Sequence, residues 1–121
     1  MKLAAWAILA LALVGALAAC GGGTPSPSTT VTEVTLTGTE FGFEPKAVEI
    51  AAGAKLKITL VNKGTLEHDV SIDALGVKLL VPVGQTLSVT TAEPVPAGTY
   101  EIYCAVAGHK EAGMTGTLTV K

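Results

Sequence analysis

An all-β sandwich of two antiparallel sheets, built from seven or eight short strands, is the fold class this sequence predicts. Three observations carry it. From Val31 onward apolar residues recur with period two, the spacing of a half-buried strand. Turn signals rich in Gly cut that pattern into short pieces. No uncapped apolar helix face of three turns occurs from Val31 onward. Short strands at this spacing fill two stacked sheets, each with one polar face.

The elements follow in order. Val34 and Leu36 alternate with Thr35 and Thr37, Val48 and Ile50 flank Glu49, and Leu56, Ile58 and Leu60 alternate with Lys57 and Thr59. Val70 with Ile72, Leu79 with Val81, Leu87 with Val89, Tyr100 with Ile102 and Leu118 with Val120 continue the series. Ala52-Gly53, Lys63-Gly64, Val83-Gly84, Ala97-Gly98 and Gly113 supply the turns. Residues 73–76 and 92–97 follow neither period and read as loops.

With 121 residues and a formal charge of −2, the chain poses a one-domain problem. Hydrophobic residues make up 49%, charged residues only 15%, and Arg is absent. That balance excludes a disordered acidic tail and a nucleic-acid binder that tracks phosphates.

The first thirty residues stand apart. Lys2 followed by the uncharged, Pro-free run Leu3 to Ala19 reads as a secretory signal. The run approaches the length of a membrane span, but it ends in Leu17-Ala18-Ala19-Cys20, which is similar to a bacterial lipobox. The expected organisation is a signal peptide over 1–19, a lipidated Cys20 with a flexible linker over 20–30, and one folded domain over 31–121. Two acyl chains anchor stably where one is marginal. The linker GGGTPSPSTT has nothing apolar to bury, and its ten residues reach roughly 17 Å as a coil and at most ~35 Å extended.

Removing the first 19 residues leaves 102, with seven Lys against ten acidic residues and a side-chain charge of −3. A chain of that length buries roughly 60–68% of its unfolded surface, enough for one core without disulfides. If Cys20 carries lipid, Cys104 has no partner within the chain, and an unpaired thiol in an oxidising compartment needs a reason. Its company supplies one. The mature part keeps Cys104, His68, His109 and Met114, the thiolate, two imidazoles and thioether of a type 1 copper centre. Singly, each has a plainer role. Cys104 is then a small buried hydrophobe, His68 a surface partner of Asp69, His109 a solvated loop residue and Met114 core filler. Their spacing favours the joint role. Four residues separate Cys104 from His109 and four more separate His109 from Met114, so one tight loop carries three ligands, with His68 36 residues upstream of Cys104.

The segment YEIYCAVAGHKEAGMTGTLTV resembles the C-terminal copper loop of the cupredoxins, in the form with a longer Cys–His gap. FGFEPKAVEIAAGAKLKITLVNKGTLEHDV is similar to that family's first half, and together the two cover residues 31–121. The resemblance implies a Greek-key sandwich holding one type 1 copper, with His68, Cys104, His109 and Met114 as ligands. It also implies a one-electron Cu(II)/Cu(I) carrier, a monomer that docks transiently with a donor and an acceptor redox protein near His109. Leu66, Leu75, Val106 and Ala107 are the candidates for an apolar docking patch. An enzyme of the wider superfamily needs further His-rich metal sites, which two His cannot supply. The alternative is an extracytoplasmic copper carrier or chaperone that transfers no electrons. In either case the protein is expected on the outer side of a bacterial membrane, periplasmic or at the cell surface.

Two further residues belong to the expected site. Many cupredoxins carry Asn directly after the first His, where this chain has Asp69. Its carboxylate is expected to tie the ligand loops as an acceptor and to favour Cu(II), and its backbone N–H to donate to the Cys104 sulfur. Asn62 is expected to brace the loop ahead of His68, or to serve simply as a strand-end turn former.

Overall fold

A computed structural model of the chain describes residues 21–22 and 29–121. The expected signal peptide, Cys20 and most of the linker lie outside the described residues. Among those described, nine strands run in order: β1 (Val31–Thr39), β2 (Gly42–Glu44), β3 (Ala47–Ile50), β4 (Lys55–Asn62), β5 (His68–Ile72), β6 (Val77–Val81), β7 (Thr86–Thr90), β8 (Gly98–Tyr103) and β9 (Thr115–Val120). A 3-10 turn, Asp73–Leu75, joins β5 to β6 and ends on Gly76 in the left-handed conformation. It occupies part of the segment expected as loop. Residues 92–97 are irregular, as expected.

The strands form a four-stranded sheet in the order β2-β1-β4-β7 and a five-stranded sheet in the order β3-β9-β8-β5-β6. The sandwich is as the sequence predicts, but its sheets are mixed. Of the seven strand pairings, β1 with β4 and β3 with β9 run parallel. The cause is topological. The chain leaves β1 through β2, crosses to the other sheet as β3 and returns as β4 beside β1, so β1 and β4 point the same way. A period of two fixes which face a residue occupies and is silent on which strand lies next to it.

The core sits between the sheets. In β4 buried and half-buried residues alternate strictly, with Leu56, Ile58, Leu60 and Asn62 all turned inward. Leu36 and Phe43 join them from β1 and β2, and Val70, Ile72, Val81, Ile102 and Leu118 face them from the other sheet. Each such side chain contributes roughly 1.5–3 kcal/mol by leaving water. This core runs straight into the prospective metal centre, because Cys104 and Met114 belong to the same cluster.

Register sets what lies at that end of the sandwich. The parallel β1–β4 ladder pairs Gly38 with Asn62 and continues as a hydrogen bond from the Lys63 N–H to the Gly38 carbonyl, 2.9 Å. The β1–β2 turn is thereby held against the loop that precedes His68. In the second sheet, Ser71 of β5 pairs with Tyr103 of β8, which brings His68 and Asp69 alongside Cys104 and Ala105.

Candidate metal centre

One closed loop positions three of the four candidate ligands. Cys104 directly follows β8 and Met114 directly precedes β9. The Cys104 N–H donates to the Met114 carbonyl at 3.1 Å, and the Met114 N–H donates to the His109 carbonyl at 3.0 Å. The His109 N–H donates in turn to the Val106 carbonyl at 3.0 Å. Gly108 and Gly113 make the tight reversals possible, with φ of 82° and 103°, a region side-chain-bearing residues rarely enter. The chain from Cys104 to Met114 thus folds back on itself and aims the side chains of Cys104 and His109 at the start of β5.

His68 meets them there. Its Nδ1 lies 3.3 Å from His109 Nδ1, and Cys104 Sγ lies 3.4 Å from the same His109 atom. One ligand atom from each of the three falls within 4.8 Å of the others. Met114 is fully buried beside them. A methyl group built on Gly38 would lie 3.5 Å from both the Met114 Cε and the His68 Cδ2, so the thioether arm and the imidazole flank one point. Three donors each roughly 2.0–2.3 Å from a shared ion stand about 3.5–4 Å apart in a trigonal plane. The separations of 3.3 and 3.4 Å come close to that spacing, and thiolate, imidazole and thioether are donors that copper prefers.

Burial governs the electrostatics. His68, Cys104 and Met114 have no exposure and His109 only 6%. Burial pushes the Cys104 thiol up, against hydrogen bonds from the backbone of Asp69 and Val106 that favour the thiolate. Burial, and then the facing His109, hold the His68 imidazole below its ordinary value, while Glu40 pulls it the other way. Both side chains are therefore poised neutral without a cation, and a bound metal ion would draw the proton from such a thiol.

The supporting residues are in place. The Asp69 N–H donates to Cys104 Sγ at 3.3 Å, the hydrogen bond anticipated from the sequence. Asp69 Oδ1 accepts from the Ala105 N–H at 3.0 Å and from the Ser71 hydroxyl at 2.6 Å, so the carboxylate ties β5 to the Cys104 loop. Asn62 braces the other loop: its Nδ2 donates to the Leu66 and Val81 carbonyls at 2.8 and 2.9 Å, and its Oδ1 accepts from the Gly64 N–H.

The expected docking patch needs correction. Leu66 is 45% exposed and Val106 and Ala107 lie on the ligand loop itself, but Leu75 is elsewhere. It lines a cavity with Ala74, Thr91, Pro94 and Pro96. From His68, β5 carries the chain roughly 16 Å toward the other end of the sandwich before Leu75 is reached. Apolar character alone does not say at which end of a strand a side chain emerges.

Two residues were not singled out from the sequence. Phe41, 45% exposed, sits edge-on to His109 with ring centroids 5.3 Å apart, and holds φ of 62° in the β1–β2 turn. Next to it, Glu40 accepts from the Thr65 N–H, from Thr65 Oγ1 at 3.0 Å and from the Leu66 N–H at 3.2 Å. These bonds, that from the Thr65 backbone foremost, hold its carboxyl below the usual carboxylate range. Only the β1–β4 register brings both residues to the site, and no local pattern announces it.

Comparison with known proteins agrees with the geometry. The cupredoxin-like domain family model matches residues 5–120. The plastocyanin of Nostoc punctiforme is 36% identical over 115 residues, spanning 81% of this chain and 79% of that protein. Among solved structures, the dithionite-reduced auracyanin of Roseiflexus castenholzii superposes with a TM-score of 0.64 at 19% identity, covering 79% of this chain and 99% of its own. Auracyanin A of Chloroflexus aurantiacus, described as a "blue" copper protein, gives 0.65 at 20% identity, covering 75% and 99%. The two auracyanins establish the shared fold. The chain belongs to the cupredoxin-like family, and its His68, Cys104, His109 and Met114 arrangement is consistent with one type 1 copper site.

Proposed function

We propose that the protein is a blue copper electron carrier, in which His68, Cys104, His109 and Met114 would hold the ion. The observation that carries this reading is the convergence of His68 Nδ1, His109 Nδ1 and Cys104 Sγ in a buried cluster. Copper bound there supplies reversible one-electron chemistry. The chain does the rest. Hydrogen bonds within the 104–114 loop and from Asp69 fix the donors before the ion arrives, so little reorganisation accompanies a change of charge. Core residues exclude water from the thiolate. The sliver of exposure left to His109, with Phe41 edge-on to its ring and Val106 and Ala107 on the same loop, makes a surface suited to brief redox encounters.

A protein that hands its copper to another needs ligands the recipient can reach, and these are buried. The reading is not enzymatic, since the four ligands leave no open position for a substrate. We further read the chain as lipid-anchored through Cys20 and extracytoplasmic, its domain turning on the 20–30 linker beside the membrane. Among the described residues no helix is long and apolar enough to cross a membrane.

Electrode cycling of the copper-loaded protein tests the function: a carrier gives a reversible one-electron wave and retains its copper in both states. A wave that decays as copper leaves on reduction would make it a courier for the ion instead. Ala107→Lys should slow exchange with a redox partner and leave the visible spectrum unchanged, and Cys20→Ser should release the protein from the membrane fraction.

A further inference from the structure

His68 has two ring nitrogens, and the copper reading uses only one. With Nδ1 turned to the ligand cluster as an acceptor, a neutral imidazole carries its proton on Nε2. That atom is fully buried and makes no hydrogen bond within the protein. An unsatisfied buried donor is costly, so its surroundings are informative. Glu40 Oε1 stands 3.9 Å away, an anion within reach of a small rotation. The same oxygen is fixed from its other side by the Thr65 N–H, Thr65 Oγ1 and Leu66 N–H. Gly64 keeps the gap clear: a Cβ there would fall 2.5 Å from His68 Nε2 and 2.6 Å from Glu40 Oε1. A donor without an acceptor, a pinned carboxylate and a missing side chain meet at one spot.

We propose that Glu40 is a positioning residue of the metal centre, its carboxylate accepting the His68 Nε2–H and so aiming Nδ1 at the ion. This rests on the copper reading above. A carboxylate behind a ligand imidazole fixes its tautomer and ring orientation and makes it a more basic donor. Its negative charge also favours the more highly charged oxidation state. Because Glu40 lies in the β1–β2 turn, the four-stranded sheet thereby controls a ligand carried by the five-stranded one.

The test uses two variants, because Glu40→Ala also removes the acceptor that pins Thr65 and Leu66, whereas Glu40→Gln keeps an acceptor oxygen and removes the charge. In the apoprotein, at a pH where both imidazoles are neutral, nitrogen NMR of the ring reports the His68 tautomer. The expected result is Nε2–H in the wild type and in Glu40→Gln, and a mixture of tautomers in Glu40→Ala. In the copper-loaded protein, both variants raise the reduction potential, and Glu40→Ala lowers copper affinity roughly 10–100-fold. An unchanged tautomer in Glu40→Ala together with an unchanged potential in Glu40→Gln would reduce Glu40 to a loop pin and overturn the proposal. If Glu40→Ala does not fold, the Glu40→Gln potential decides alone. A wild type that binds no coloured copper refutes the metal centre instead, and the tautomer comparison then judges Glu40 by itself.

Discussion

Asp69 concentrates the site's chemistry in one residue: its N–H reaches the sulfur and its carboxylate locks Ala105 and Ser71. Asp69→Asn keeps an acceptor for the Ala105 N–H but removes a buried negative charge, so the copper-loaded variant should stay coloured with a higher reduction potential in voltammetry. Asp69→Ala leaves a backbone N–H and a hydroxyl unpaired, and denaturant unfolding of the apoprotein should show a loss of about 2 kcal/mol or more. Tyr103, next to Cys104, donates to both Asp73 oxygens at 2.8 and 2.9 Å. That bond, then burial, raises its phenol above the usual value. The folded state therefore holds the proton longer than the unfolded one. The resulting stabilisation is complete below about pH 10 and is lost as pH climbs through the raised value. Phenolate absorbance of the apoprotein should show Tyr103 titrating late, and Asp73→Asn should bring it back toward the ordinary range.

At the scale of elements, two loops from different sheets are braced independently and then tied together. Asn62 makes three hydrogen bonds from a buried position at the end of β4, so Asn62→Ala should cost roughly 2–4 kcal/mol in apoprotein unfolding. It should also broaden the copper spectrum, because the loop that delivers His68 loses its fixed shape. The candidate loop is legible in the sequence, since the donor types and their four-residue gaps lie on one stretch of chain. Most strands were legible as well, because alternation reports burial directly. What escaped has a common cause. β2 is only three residues long, too short to show a period. The parallel β1–β4 and β3–β9 pairings, the arrival of Glu40 and Phe41 at His68 and His109, and the departure of Leu75 all follow from which strands neighbour which. Local sequence carries faces and turns, and long-range register does the rest.

For the molecule as a whole, the site is where the two sheets meet. β5 and the β8–β9 loop bring the candidate ligands, and Gly38 of β1 and Glu40 of the β1–β2 turn close on His68 from behind. An ion bound there clamps the sandwich. Free copper at a thousand times its dissociation constant should stabilise the fold by roughly 4 kcal/mol, seen in thermal unfolding as a rise of about 15 °C or more for a domain of this size. Cys104→Ser should lose most of that rise while its apoprotein melts close to the wild type. The central claim, that one thiolate, two imidazoles and a thioether seize a single ion, is tested most directly by titrating the apoprotein with cupric ion under visible absorption and EPR. Intense colour saturating at one equivalent, and absent from Cys104→Ser, is the predicted result. Cupric uptake without colour, or colour that survives the loss of the sulfur, would contradict it.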